Sequence, residues 1–298
     1  MATPSADAPC TDAHAVDLGF AELTALQVVV LGIVQGITEL LPISSTAHLR
    51  VIPGLLGWRD PGSAFSAAMQ LASFTAVITY FWSDIRTLAG SSLAALAARD
   101  YQSQDFRLAL GIMVGTVPLV VAGVLLRPIL NGCHSPLRGL IVIGVASIAM
   151  SVLLAIAERA ARHTRSFSQL SLADGVWVGL AQGLALIPGV SRSGATLTAA
   201  LFRGMQRETA ARFSFLLGLP AITLAGFYEL YVLAKAGLGS QGWITLLIGL
   251  AAASVTAFLA IYALMRYLEK RSTWIFVWYR FIFGVALVIG VLGGWLRN

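Results

Sequence analysis

Charge is what this chain has least of. Asp, Glu, Lys and Arg make up 11% of its 298 residues while 57% are hydrophobic, and the mean hydropathy is +0.81. That balance excludes an ordinary soluble domain and indicates an integral membrane protein. The apolar stretches are long and continuous, without the short alternation of a barrel strand, so the expected class is an all-α integral membrane protein. Residues 1–25 contain no Lys or Arg and no apolar core before the first helix, which argues against a cleaved targeting signal and for a short acidic external tail carrying Asp7, Asp12, Asp17 and Glu22. Only two cysteines occur, Cys10 and Cys133. Both fall on the predicted external side, and the sequence leaves their pairing open. The net charge of +6 does not imply nucleic acid, because the basic residues sit singly or in threes at helix ends, where lipid headgroups and the positive-inside bias put them.

Six spans are expected, at about 64–82, 108–127, 137–157, 212–234, 242–265 and 275–296. Two further apolar segments, 26–57 and 173–204, are interrupted by Pro42 and Pro188. Each half is only about 21 to 24 Å long as a helix, short of the ~30 Å hydrocarbon core. These segments are expected as re-entrant hairpins. The connections on one side hold Arg86, Arg99, Arg107, Arg159, Arg162, Arg165, Arg203, Arg207, Arg212, Arg266, Lys270 and Arg271, against Arg50, Arg59, Arg127, Arg138, Lys235 and Arg297 on the other. The richer side is predicted cytoplasmic, with both termini external. One hairpin plus three spans, twice over, gives an inverted-topology repeat of residues 26–157 and 173–296 within a single membrane domain.

The two breaks share a pattern. Gln35-Gly36 and Gln182-Gly183 are each followed by a Pro and then by a Ser-rich stretch. Ser44, Ser45 and Thr46 in the first, and Ser191 and Ser193 in the second, are expected to cap new half-helices and to turn backbone N–H groups toward mid-membrane. Two such N-termini suit a strongly anionic group, phosphate or pyrophosphate. Arg192 offers a planar fork for phosphate oxygens. Glu39 and Gln35, four apart on one helical face, offer hard oxygen ligands for a divalent cation. Ser45 and His48 are spaced as a hydroxyl beside an imidazole, a pairing that generates a nucleophile. Arg280 inside the last span reads either as a phosphate contact, a partner of Glu229, or a structural group. Gln70 is a candidate hydrogen-bond partner for a hairpin. Trp58, Trp82, Trp274, Trp278 and Tyr279 read as an interfacial belt.

The stretch Gln35 to Leu49, with Pro188-Gly-Val-Ser-Arg-Ser-Gly194 and Phe213-Ser-Phe-Leu-Leu-Gly-Leu-Pro220, resembles the bacterial undecaprenyl-diphosphate phosphatases of the bacitracin-resistance type. The resemblance implies hydrolysis of a polyprenyl diphosphate in the bacterial plasma membrane to the monophosphate and inorganic phosphate, recycling the lipid carrier of cell-wall synthesis, with Mg²⁺ or Ca²⁺ as cofactor. It places the family's metal-binding motif on Gln35 and Glu39, its Ser on Ser45, its His on His48 and its phosphate-binding Arg on Arg192, with Ser44, Thr46, Ser191, Ser193 and Gly194 around the substrate. Gln35 stands where many relatives have Glu, and Ala47 where Gly is usual. The expected site opens to the external face, and an oligomer is left open. The alternative function is an inverted-repeat transporter or polyprenyl-phosphate flippase, which needs no nucleophile. The acid-phosphatase-like membrane phosphatases are a poor match, because no His and Asp follow Arg192 in their pattern.

Overall fold

The computed structural model describes residues 18–130, 137 and 139–296. Cys10, Cys133, Arg138, Arg297 and the acidic residues Asp7, Asp12 and Asp17 lie outside the described residues. The first hairpin is α1 (Ala25–Leu40) and α2 (Ser45–Leu56), with α2 folded back against α1. Thr24 caps α1 in a reciprocal box with Gln27. The helix stops because Leu41 precedes Pro42 and is forced into an extended conformation, φ −70° and ψ 145°. α3 (Gly62–Ala68) leads into α4 (Gln70–Tyr80), and α5 (Trp82–Ala97) departs from that line by 78°. α6 (Gln104–Leu130) and α7 (Leu140–Ala160) follow.

The second hairpin repeats the first. α8 (Leu172–Gln182) begins in a capping box of Ser171 and Asp174 and runs through a 3-10 turn, Gly183–Leu186. Its chain turns extended at Ile187, φ −81° and ψ 119°, just before Pro188. α9 (Arg192–Phe202) then returns against α8, and α10 (Arg207–Lys235), α11 (Ser240–Leu268) and α12 (Trp274–Leu292) complete the chain. Among the described residues five helical stretches are long and apolar enough to cross a membrane: Gln104–Leu126 within α6, and α7, α10, α11 and α12. The expected first span, 64–82, is the helix Ala64–Tyr80, which together with the bent α5 makes a sixth when the pair counts as one span. Among the described residues the only β-type pairing is an isolated bridge between Arg165 and Met205.

Each hairpin is held by a long helix of the other half. α1 packs on α11, where Gly32 and Gly36 lie directly on the backbone at Gly249 and Ala253. α8 packs on α6 with Gly175 and Gly179 against Gly111 and Gly115. A side chain at any of these would force the helices apart, so small residues set the separation. α7 and α12 meet through Gly144 and Gly284, and α4 meets α10. The end of the acidic segment is not loose: Phe20 is fully buried, with its ring 5.2 Å from Phe65.

Two ion networks close the ends of these elements. Buried Glu158 on α7 accepts from Arg207 Nε at 2.7 Å and from Thr273 Oγ1 at 2.9 Å, joining α7, α10 and the start of α12. Asp174 at the start of α8 accepts from Arg165 at 2.8 and 2.7 Å and from Arg203 Nε at 2.8 Å, joining the two ends of the second hairpin. Burial opposes ionisation of Asp174, but hydrogen bonds from Arg165, Arg203 and Ser171 outweigh it and hold the carboxyl well below the usual carboxylate range.

Candidate active site

Both half-helices that follow a break start at a serine with a left-handed backbone: Ser44 at φ 74° and Ser191 at φ 68°. Such angles are uncommon outside glycine, cost about 1–3 kcal/mol and collect at functional sites. The two serines use the turn differently. Ser191 caps its helix by accepting from Gly194 N at 3.2 Å. Ser44 stands at the cap position without a side-chain cap bond. The turn aims its carbonyl at His48 instead, whose Nδ1 lies 2.7 Å away.

Glu39 closes α1 and gathers the site. Its Oε2 accepts from Gln35 Nε2 at 3.0 Å and from the Ser45 hydroxyl, and its Oε1 accepts from Arg192 Nη2 at 2.7 Å. The helical spacing of Gln35 and Glu39 thus becomes a direct contact, and the Arg192 ion pair joins the second break to the first. Ser193, expected as a cap, reaches across: its hydroxyl donates to Leu41 O at 3.0 Å and Glu39 O at 3.3 Å, and lies 3.2 Å from Ser191 Oγ. Glu39, Ser44, Ser45, Thr46, Ser191 and Arg192 all line one cavity of about 720 Å³. Gln35, His48, Ser193 and Gly194 stand behind that lining. Gln70 is also on the wall.

The expected pairing of Ser45 with His48 is not made. Ser45 begins α2 and its hydroxyl meets Glu39, while the His48 ring, one turn on, is drawn into α12. It stacks on Phe283, centroids 4.6 Å apart, and its Nε2 lies 2.6 Å from Tyr279 OH. A carbonyl only accepts, so Nδ1 carries the proton toward Ser44 O, and Nε2 of the neutral ring accepts from the tyrosine. Tyr279, expected in the interfacial belt, is therefore part of the site's support.

Arg280 is the residue whose role the sequence left undecided. It is 1% exposed. Its Nη1 donates to Pro42 O at 3.1 Å and its Nη2 to Gly189 O and Val190 O, both at 2.8 Å. One guanidinium thus ties the carbonyls of both breaks. Gly194 is required beside it, since a Cβ there would collide with Arg280 Nη1. An arginine inside an otherwise apolar span was the available signal.

Comparison with known proteins bears on this arrangement. The family described as "Bacitracin resistance protein BacA" matches residues 28–286. The chain belongs to this family. An undecaprenyl-diphosphatase 2 of Mesorhizobium japonicum is 61% identical over 262 residues, 88% of this chain and 99% of the relative. Undecaprenyl-diphosphatases of Trichormus variabilis and Synechococcus elongatus are 49% and 50% identical, covering 96% and 91% of this chain and 89% and 95% of their own.

Within this BacA-family site a divalent cation would meet one carboxylate and one amide. A carboxylate has about four lone-pair positions, and three on Glu39 are used by Gln35, Ser45 and Arg192. Among the described residues there is no group of three or more His, Cys, Asp or Glu side chains suited to a metal. The donor set is hard oxygen, with Glu39 on the cavity and Gln35 behind it, and is too small to hold an ion alone. Such a set would suit Mg²⁺ or Ca²⁺ only with further oxygen ligands from a bound phosphate.

Proposed function

We infer that this chain is an undecaprenyl-diphosphatase, hydrolysing a membrane-embedded polyprenyl diphosphate to the monophosphate and inorganic phosphate. The observation that carries the reading is the Glu39 carboxylate, which holds the Ser45 hydroxyl and the Arg192 guanidinium together at the polar floor of an apolar-walled cavity. Family membership supplies the substrate class.

In the proposed mechanism the terminal phosphate enters beside Arg192, which exchanges its bond to Glu39 for phosphate oxygens. Ser45 Oγ attacks the terminal phosphorus as its proton passes to Glu39. The bond from that phosphorus to the bridging oxygen breaks, and the polyprenyl monophosphate leaves. Water then cleaves the phosphoserine, releasing inorganic phosphate and restoring the hydroxyl. His48, with both ring nitrogens engaged, holds the Ser44–Ser45 turn through the Ser44 carbonyl. Glu39 and the Gln35 amide oxygen would hold a Mg²⁺ or Ca²⁺, which would supply neutralisation of phosphate charge. Phosphoryl transfer depends mainly on position and charge, so Arg192 matters as much as the nucleophile.

The proposed frame is an inverted repeat of six spans and two re-entrant hairpins. Supporting it are the paired breaks before Pro42 and Pro188, the left-handed Ser44 and Ser191, and the reciprocal packing of α1 on α11 and α8 on α6. The basic-residue count supports external termini and an externally opening site in the plasma membrane. Transport alone would not need a carboxylate on the Ser45 hydroxyl.

The test is phosphate release from a polyprenyl diphosphate in detergent, with Mg²⁺ or chelator, for the unaltered chain beside Glu39→Ala and Arg192→Ala. Cation-dependent release lost in both variants is the expected result. No release from the folded, unaltered chain would overturn the assignment. A phosphate-labelled Ser45 in a slowed variant supports the covalent route, and its absence would favour direct attack by water.

A further inference from the structure

The Gln-Gly pattern occurs at both breaks, but the site uses it only once. Gln35 donates to Glu39, whereas the residue four after Gln182 is Leu186, which offers no side-chain oxygen. Gln182 is nevertheless 0% exposed, and neither its Oε1 nor its Nε2 has a hydrogen-bond partner among the described residues. Burying a carboxamide unpaired is costly, so the group calls for a ligand. It lies on the face of α8 that carries Gly175 and Gly179 onto Gly115 of α6. α10 reaches the same point, where a Cβ on Gly115 would lie 3.1 Å from Leu217 Cδ1. Three residues before Leu217 stands Ser214, whose buried hydroxyl is likewise unpartnered. Three residues are about 4.5 Å of helix, so Gln182 and Ser214 each lie within one turn of this contact. Pro118 and Pro220 have no N–H, so the carbonyls of Val114 and Leu216, four residues back, lose their helical donor at the same level.

The chemistry of this junction selects its occupant. A cation would satisfy the amide oxygen and the carbonyls but leave the amide N–H groups bare, and an anion would do the reverse. Water both donates and accepts, so one or two molecules answer every group. The same stretch of α10 bears on the active site, because a Cβ on Gly218, four residues after Ser214 on one helical face, would lie 3.7 Å from Arg192 Nε. Resting on the diphosphatase reading, we propose that the junction of α6, α8 and α10 is an internal water site seated on Gln182 and Ser214, and that Gln182, through this water, is a positioning residue for Arg192. The water backs the Nε edge of the guanidinium while the Nη edge exchanges Glu39 for phosphate. That support is equal before and during phosphoryl transfer, so it acts on phosphate binding and not on the chemical step.

The first measurement needs no variant. The full chain in lipid nanodiscs is irradiated with X-rays, which turn water into hydroxyl radicals where it stands, and oxidised residues are mapped by mass spectrometry. Leu217 of the junction and Leu246 of α11 are both 0% exposed. Leu217 is expected to be oxidised and Leu246 to stay unmodified; a Leu217 as unreactive as Leu246 overturns the water site. The second measurement is kinetic. Gln182→Leu removes both polar atoms at nearly constant size, and it should raise KM for a polyprenyl diphosphate and the inhibition constant of inorganic phosphate by about fivefold each, with kcat kept. Gln182→Asn, which retains the amide one methylene back, should recover most of that loss. A lower kcat at unchanged KM, the sign of a smaller folded fraction, overturns the link to Arg192, and so does an unchanged KM with full kcat. Absence of hydrolysis by the unaltered chain overturns the diphosphatase reading itself, while the radical measurement still decides the water site.

Discussion

Arg192 and Arg280 are the two cations that remain when the basic residues of the connections are set aside, and both end at the breaks. They serve different ends. Arg192 has a carboxylate partner and faces the cavity, whereas Arg280 is buried on three backbone carbonyls, of which Gly189 O also accepts from Ser147 Oγ at 3.4 Å. Replacing Arg280 by Met removes all three of its hydrogen bonds and should lower stability by about 3–5 kcal/mol, read as thermal unfolding in detergent. Arg280→Lys keeps the charge without the fork and should fall between. At His48, Tyr279→Phe removes one hydroxyl and keeps the stacked ring, so it should cost about 1 kcal/mol in transition-state stabilisation, several-fold in phosphate release. A Tyr279→Phe protein as inactive as Ser45→Ala would show that the phenol does more than hold the ring.

At the scale of elements, the second hairpin is closed at its base by Asp174. Asp174→Asn leaves Arg165 and Arg203 without their shared carboxylate, and the expected loss is about 2–4 kcal/mol, less than a fully buried pair because both cations are partly exposed. The pH dependence has a definite sign. The folded carboxyl is depressed below its unfolded value, near 3.9 for a free Asp. Its contribution is therefore complete above that value and lost as pH falls toward the folded one. The stability gap between the unaltered chain and Asp174→Asn should stay flat from about pH 8 to 5 and close below about pH 4. A gap that closes near neutral pH would point to another titrating group. Between elements, a Cβ on Gly36 would overlap Thr256 Oγ1 and the Ala253 carbonyl. Gly36→Val should separate α1 from α11, giving aggregated protein on size exclusion.

For the whole molecule, the proposed inverted repeat has the two hairpins enter from opposite faces and meet at one site. Single cysteines placed in a cysteine-free background at 59 and at 204, tested with a membrane-impermeant thiol reagent, should react from opposite sides of intact cells, position 59 from outside. Labelling of both from one side would exclude the inverted repeat. The 78° turn between α4 and α5 belongs to this scale as well. It separates α4 from α5 at Phe81 and turns α5 away, with Trp82, Leu93 and Leu96 exposed along it.

The local parts of this arrangement were legible before any coordinates. Apolar length indicated the membrane class, Pro42 and Pro188 marked both breaks because proline bars helix in the preceding residue, and a four-residue spacing put Gln35 on Glu39 because an α-helix brings those side chains together. The partnership of Ser45 was a different matter. Local spacing favoured His48, three residues away, and tertiary packing favoured Glu39, because the stacked rings of Tyr279 and Phe283 hold the imidazole against α12. Arg192 to Glu39, Ser193 to Leu41, His48 to Tyr279 and Arg280 to Pro42 link residues more than 150 positions apart. No helical period encodes such distances. They exist because close glycine contacts bring the two halves together, leaving buried donors and acceptors of each break no water and therefore only each other to bond.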